Sequence, residues 1–424
     1  MSNKLIWFRN DLRTSDHQGL HQCATSKHPV IGIYCLDVKL FQANALGFRN
    51  SGQARLNFLI ESIANLKSEL QKLGSDLLIY QSPAHLAIPK VCNALSIDEV
   101  FWQELSGPEE ETDARLVQTE LKKTNIKVNT YWDSTLASLS QMPFSLEQLP
   151  DLFTTFKNRV EPNLSPALPL PKPSHLIGIP HQIPQADLPL NKDEIRENWY
   201  HLKGGEEEAL LRLKAYTWES NAIQQYKVTR NGLIGKDYSS KLSPYLAIGC
   251  ISARKVYAEI KEYERLVKSN DSTYWLIYEL LWRDYFKWVL VKYGSKLFQI
   301  NGLQNKPHPW NNDKATFEKW RSGNTGQPFI DANMRELLHT GFMSNRGRQN
   351  VASYLCKDLG INWLWGAAWF ESQLIDYDPS SNYGNWAYQA GVGNDARNDR
   401  KFNPVKQAEQ YDPNNDYVSF WLNQ

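Results

Sequence analysis

Cysteine is scarce and scattered in this chain: Cys23, Cys35, Cys92, Cys250 and Cys356 stand singly among 424 residues. No C-x-x-C pair occurs, so neither a structural zinc nor a disulfide framework is indicated, and reduced thiols with no metal site are expected. An excess of one charge is missing too. The 47 Lys and Arg face 46 Asp and Glu, a formal net charge of +1. That excludes a globally basic nucleic-acid binder; any anion-binding surface must be a local groove. No apolar run is long enough to span a bilayer, since the most apolar late segment, WLWGAAWF at 363–370, is far too short. Arg9 and Asp11 stand where a signal peptide would need its apolar segment. These absences predict a soluble cytoplasmic protein without membrane contact.

The dinucleotide fingerprint G-x-G-x-x-G is also absent. After the first candidate strand, LIWF at 5–8, the chain reads Arg9-Asn10-Asp11-Leu12-Arg13, which disfavours an ordinary nicotinamide oxidoreductase. What is present is an alternation. Further candidate strands are VIGIYC (30–35), LLIY (77–80), EVFW (99–102) and KVNTYW (127–132). Between them SGQARLNFLIESIANLKSELQKLG predicts an amphipathic helix ending at Gly74, and EEETDARLVQTELKK a second, with acids in its first turn and lysines in its last. Strands alternating with helices predict a doubly wound parallel sheet.

Ten of the chain's 21 prolines stand between Pro143 and Pro189, where they exclude regular helix through PALPLPKP and beyond. An extended connector between two domains is expected. Beyond it, EEEALLRLKAYTWESNAIQQY, ARKVYAEIKEYERLV, YWLIYELLWRDYFKWVLVKYG and ANMRELLHTG carry apolar residues three and four apart. Twelve of the 15 tryptophans also lie from Trp199 onward, so the two halves are built for different tasks. The expected organisation is an α/β domain over 1–135, a connector over 136–204 and an all-α domain over 205–424.

Four stretches could carry chemistry. Asp237-Tyr238-Ser239-Ser240-Lys241-Leu242-Ser243-Pro244 precedes a helical run, with Pro244 suited to the first helical position. Its hydroxyls and free backbone donors favour a phosphate, although taken alone the octapeptide fits a serine N-cap better. Glu279 and Trp282 share a face of an aromatic helix, where Glu279 and Arg283 could equally form an ordinary i,i+4 pair. Arg346 and Arg348, with Asn345 and Gln349, form a second polar group that also suits a solvated helix face. Finally NYGNWAYQAGVGNDAR, 382–397, reads as an aromatic- and amide-rich loop behind the paired carboxylates Asp376 and Asp378.

Together these stretches bring in a resemblance. WFRNDLR (7–13), SSKLSPYLAIG (239–249), ELLWRDYF (279–286), PFIDANMREL (328–337), NRGRQNVASYL (345–355) and SQLIDYDPSSNYGNW (372–386) resemble the photolyase/cryptochrome flavoproteins over nearly the whole chain. WDSTL (132–136), LPDLFTTFKNRVE (149–161) and NYGNWAYQAGVGND resemble the DASH-type cryptochromes within them.

The resemblance implies a helical domain holding FAD in a folded conformation. Tyr226, Ser239, Ser240, Lys241, Leu242, Ser243 and Arg283 would contact the FAD, the serine loop lying around its phosphates. Arg348 and Asp376 would pair beside the isoalloxazine, Asp378 would bond its polar edge, and Asn382 would face N5. In the family reaction, excited reduced flavin donates an electron to a cyclobutane pyrimidine dimer; two carbon–carbon bonds break and the electron returns. Glu279 would hydrogen-bond the flipped dimer, Trp282 would pack against it, and Asn345 belongs to the same site. Trp386, Trp363 and Trp310 match the electron-transfer chain from flavin to surface. DNA contacts would come from Arg230, Asn345, Arg346, Gln349, Tyr388, Arg397 and Lys406. Arg397 and Lys406 serve equally as plain surface charge.

Gln349 and Tyr388 stand where duplex-acting photolyases place a methionine and a second dimer-packing tryptophan. They imply weaker stabilisation of the flipped lesion and a preference for single-stranded or loop-opened DNA. The paired histidines of (6-4) photolyases are missing, which disfavours (6-4) repair. Ala396 replaces a proline common in DASH relatives, which implies a looser turn. A chain ending at Gln424 is expected to lack the long tail of plant cryptochromes. A methenyltetrahydrofolate antenna is implied between the domains, with Glu109 or Glu110 as its acidic contact, unless those acids only complement a helix N-terminus. A monomeric, single-strand-preferring photolyase is the expected function. The alternative is a blue-light photoreceptor that binds DNA or a regulatory protein without significant repair.

Overall fold

The computed structural model describes residues 2–186, 202–394 and 401–423. The first half runs β1 (Asn3–Phe8), α1 (Gln18–Ser26), β2 (Val30–Cys35), α2 (Gln53–Lys72), β3 (Leu77–Tyr80), α3 (Ala84–Ala94), β4 (Ile97–Gln103), α4 (Pro108–Lys122) and β5 (Lys127–Tyr131). The strands form one parallel sheet in the order β3-β2-β1-β4-β5. Alternation along β1 divides the core: Leu5 and Trp7 join Ile88, Val91 and Leu121 from α3 and α4, whereas Ile6 and Phe8 join Phe58, Ile63 and Leu66 from α2. The sheet is therefore doubly wound, as its strand pattern predicts. Two helices had no signal in the sequence: α1 is capped by His17 rather than a residue that favours that position, and α3 contains Pro89.

The proline-rich segment is not extended throughout. Between Pro150 and Pro162 it forms α5 (Phe153–Val160), which buries Phe153, Phe156 and Val160. Beyond lie α6 (Glu206–Lys214), α7 (Tyr226–Thr229), α8 (Ser243–Ala247), α9 (Ala253–Leu266), α10 (Asp271–Tyr293), α11 (Lys314–Arg321), α12 (Pro328–Thr340), α13 (Asn345–Ser353), α14 (Trp363–Gln373), α15 (Pro379–Ala390), α16 (Pro404–Tyr411) and α17 (Asp416–Leu422). The segment 206–226, which reads as one helix, is broken. It widens to a π-turn over Ala215–Glu219, and Asn221 then adopts the left-handed conformation at φ 53°.

The expected loop after Asp378 is instead helix α15. Pro379 occupies its first turn, the Asp378 carboxylate accepts from Ser381 N at 2.8 Å, and Gly391 ends it at φ 80°. Glycine stands at 384 in this helix because a side chain there would run into the Phe286 ring of α10. Poor helix formers thus hide the element in the sequence, and close packing on α10 makes it form.

Two of the DASH-like motifs bind the halves together. In WDSTL, Trp132 stacks on Trp288 at 5.1 Å and Asp133 Oδ1 pairs with Arg254 Nη1 at 2.9 Å. Asp284 Oδ2 accepts from Leu136 N at 2.7 Å. Burial raises the Asp284 carboxyl to about 7. In LPDLFTTFKNRVE, Asp151 accepts from the hydroxyls of Tyr285 and Tyr293. Among the described residues no helix is long and apolar enough to cross a membrane.

Candidate functional site

A cavity of about 300 Å³ opens in the helical half, within the range of cofactor pockets. Three helices each turn one stripe towards it, at spacings of three, four and seven residues. Leu276, Glu279, Leu280 and Arg283 come from α10, and Asn345, Arg348, Gln349 and Ala352 from α13. From α15 come Asn382, Asn385, Trp386 and Gln389. Tyr226, the loop from Ser239 to Ser243, Phe342, Met343, Asp376 and Asp378 add to the wall.

Asp376 and Asp378 take different partners. Arg348 Nη2 donates to Asp376 Oδ2 over 2.8 Å, and Ser243 Oγ donates to the same atom over 2.7 Å. Arg348 Nε is held by the Met343 carbonyl at 2.9 Å. Asp376 Oδ1 is buried without a partner among the described residues, an acceptor that needs a donor from a bound group. Asp378 Oδ2 lies 2.6 Å from Lys287 Nζ. Burial works against the Asp378 charge, but Lys287 and Arg283 outweigh it and hold the carboxyl well below the usual carboxylate range. Asn382 is buried, its Nδ2 donating to the Ala367 carbonyl at 3.0 Å.

The serine N-cap that this loop suggests in the sequence does not form. Leu242, which contributes no side-chain bond, occupies the cap of α8, and Ser243 spends its hydroxyl on Asp376. Lys241 adopts φ 56° and lies 3.5 Å from the Tyr238 ring centroid. Burial drives its ammonium pKa far down.

At the mouth Glu279 pairs with Arg230, not with Arg283. Arg283 instead donates to the Ser134 and Leu246 carbonyls, reaching across to the N-terminal half. The i,i+4 alternative fails because Arg283 has backbone acceptors at the domain seam. Arg346 Nη1 donates to Gln349 Oε1 at 2.9 Å, and Arg346 stacks over Tyr411 at 4.6 Å. Trp282 and Tyr388 do not line the cavity itself; they meet edge to face with centroids 6.4 Å apart. Lys406 is exposed on α16, away from the cavity wall, and Arg397 lies outside the described residues.

Trp386 lines the cavity, with Phe370 and Trp320 as ring neighbours at 5.1 and 6.1 Å. Trp363 is fully buried in the same apolar cluster, and Trp310 packs at its edge, partly exposed. Glu109 is exposed and Glu110 half-buried in the first turn of α4, outside this cavity. Burial raises the Glu110 carboxyl above its ordinary value, only partly offset by its own backbone N–H and by Arg9.

Sequence reasoning missed Lys287, Phe342, Met343, Asn385 and Gln389. Asn385 and Gln389 share a face with Asn382 and Trp386 once the segment is read as helix; Lys287 has no local signal.

Residues 4–174 match DNA photolyase and residues 275–424 match the FAD-binding domain of DNA photolyase. Cryptochrome DASH of Synechocystis sp. is 47% identical over 99% of this chain and 87% of the relative. The chain belongs to the photolyase/cryptochrome family. Cryptochrome DASH of Danio rerio is 45% identical over 98% of this chain and 82% of its own length. The solved Synechocystis cryptochrome superposes with TM-score 0.96 at 46% identity, covering 100% of this chain and 89% of that one. A class III photolyase from Agrobacterium tumefaciens superposes with TM-score 0.87 at 29% identity, covering 100% and 86%.

The photolyase/cryptochrome cofactor, FAD, fits the residues present. Asp376 Oδ1 awaits a donor, while the Arg348 cation and the Ser239 and Ser240 hydroxyls line the same cavity and suit acceptor oxygens.

Proposed function

We propose that this protein is a blue-light-driven photolyase for cyclobutane pyrimidine dimers, preferring single-stranded or loop-opened DNA and acting as a cytoplasmic monomer. One observation carries the reading. A single open cavity joins Asp376, Arg348, Asp378 and Asn382 to Glu279, Asn345 and Gln349, an arrangement that supports a flavin held at its floor and a flipped base admitted beside it. The residues of this cavity would hold a reduced FAD, which would supply light-driven electron transfer to open the cyclobutane ring with no net redox change.

The protein binds, orients and excludes water. Arg348 and Asp376 would hold the isoalloxazine, Asp378 its polar edge, and Asn382 its N5 side. Ser239, Ser240, Lys241 and Ser243 would hold the rest of the cofactor, with Tyr226 at the wall. Glu279, once released from Arg230, would accept an N–H of the flipped dimer, and Asn345 and Gln349 would bond its carbonyl edges. Trp282 and Tyr388 would flank the lesion. Arg230, Arg346, Arg397 and Lys406 are the proposed phosphate contacts, each steepening the fall of affinity with salt. Extrusion costs a few kcal/mol, least where pairing is already lost. Gln349 and Tyr388 offer the lesion little apolar grip, which favours single strands. Trp386, Trp363 and Trp310 would carry electrons between flavin and surface.

Glu109 or Glu110 is the proposed acidic contact of a methenyltetrahydrofolate antenna. Both follow β4, beside the point where the strand order reverses between β1 and β4, the place where open α/β sheets bind ligands.

The test is dimer repair under blue light with pre-reduced flavin, on matched single-stranded and duplex oligonucleotides. Repair of the single strand alone is expected. Equal duplex repair would reject the role given to Gln349 and Tyr388. No repair of either, with normal photoreduction, would favour the photoreceptor reading, which the cryptochrome names of the relatives support.

A further inference from the structure

The indole of Trp282 has an aromatic partner that comes from outside the helical half. Phe153, the first residue of α5, stacks on it with centroids 3.7 Å apart and planes 13° from parallel. Phe153 is 4% exposed, and its own ring is set by Tyr278 and Tyr285, edge to face at 5.1 and 5.7 Å. The backbone just before it is pinned to α10, the helix that carries Trp282. Lys292 Nζ donates to the Leu149 carbonyl at 2.8 Å, and the Tyr285 hydroxyl donates to the Asp151 carbonyl. The connector segment is therefore clamped by the same helix whose tryptophan it backs.

We propose that Phe153 is a positioning residue for dimer recognition: it covers one face of Trp282 and fixes the plane of the other towards the lesion. This rests on the repair reading. The physical ground is direct. The indole also meets Phe286, Tyr285 and Tyr388 at 5.5, 5.9 and 6.4 Å, but the near-parallel ring of Phe153 at 3.7 Å is the tightest contact and the one that limits rotation about its side-chain torsions. A flat wall recognises two adjacent bases joined by a cyclobutane ring best when its plane is held before the lesion arrives. Discrimination of damaged from undamaged strand should depend on Phe153, while flavin binding should not, because Phe153 does not line the cavity.

The experiment uses FAD-loaded protein in three forms: wild type, Phe153→Leu and Phe153→Tyr. Dissociation constants are measured for a single strand carrying one thymine dimer and for the same strand undamaged, with flavin absorbance and photoreduction rate in parallel. Phe153→Leu is expected to weaken dimer binding about 3- to 10-fold, the range of one aromatic pair. Undamaged-strand affinity, flavin content and photoreduction should stay unchanged, and Phe153→Tyr should keep the discrimination. Equal dimer discrimination in all three proteins, or equal loss in both variants, would overturn the proposal. So would a loss of dimer and undamaged affinity together. Near-ultraviolet circular dichroism tests the positioning without DNA. The band lost in Trp282→Phe should also be lost in Phe153→Leu and kept in Phe153→Tyr; its survival in Phe153→Leu would overturn the proposal. Wild-type protein that binds both strands equally would reject the repair reading instead, leaving the dichroism to decide the role of Phe153.

Discussion

Lys287 Nζ lies 2.6 Å from Asp378 Oδ2, with both side chains buried, so the long helix α10 holds the carboxylate that starts α15. Removing one member of a buried pair strands the other, at a cost of about 3–5 kcal/mol. Lys287→Met is therefore expected to lower the thermal midpoint sharply and to release flavin. Lys287→Met with Asp378→Asn should regain most of the stability, because no uncompensated charge remains. Thermal unfolding and the flavin absorbance of the purified proteins check both.

Gly384 faces the Phe286 ring, with no room for a methyl group. Gly384→Ala would gain helix propensity at an exposed site, but here overpacking should dominate and destabilise by about 1–3 kcal/mol. Since α15 carries Asn382 and Trp386, flavin retention should fall as well. A stability equal to or above wild type would show that α10 and α15 can separate.

Asp284 gives a pH signature. Burial raises its carboxyl to about 7 in the folded protein, against about 3.9 unfolded. Between those values the folded chain binds the extra proton, so the stability associated with Asp284 is greatest below about pH 4 and is lost as pH rises to about 7. Asp284→Asn mimics the protonated form. Its thermal midpoint relative to wild type should climb between about pH 4 and 7 and level off above. A difference independent of pH would place the carboxyl near its ordinary value.

Trp363 is fully buried and donates Nε1 to the Ile300 carbonyl at 2.9 Å. Trp363→Phe keeps an aromatic ring but leaves a small cavity and loses one hydrogen bond, together about 2 kcal/mol. The fold and flavin content should persist while flavin photoreduction slows at least tenfold, as followed by flash absorbance. Unchanged kinetics would remove Trp363 from the proposed chain.

Much of the fold was legible. All five strands are short β-branched or aromatic runs set off from helical patterns, and the parallel sheet follows from their alternation. The polar face of α13 was legible too, since Asn345, Arg348 and Gln349 already stand at helical spacing. The face of α15 was not. Asn382, Asn385, Trp386 and Gln389 have the same spacing, yet Gly384 and the asparagines suppress local helix propensity and made the segment read as loop. Helix α5 was masked by the prolines on either side of it.

The sequence by itself determined where chain could be strand, where proline forbade helix, and which side chains could form one stripe, because these depend on neighbours a few residues apart. Only the tertiary structure decided the partners of the charges and rings. Lys287 reaches Asp378 across 91 positions, and Arg283 reaches Ser134 across 149. Phe153 meets Trp282 only because α5 docks on α10. Such pairings depend on how helices pack around a shared core, and no local pattern encodes the distance between two residues that meet only after the chain has folded.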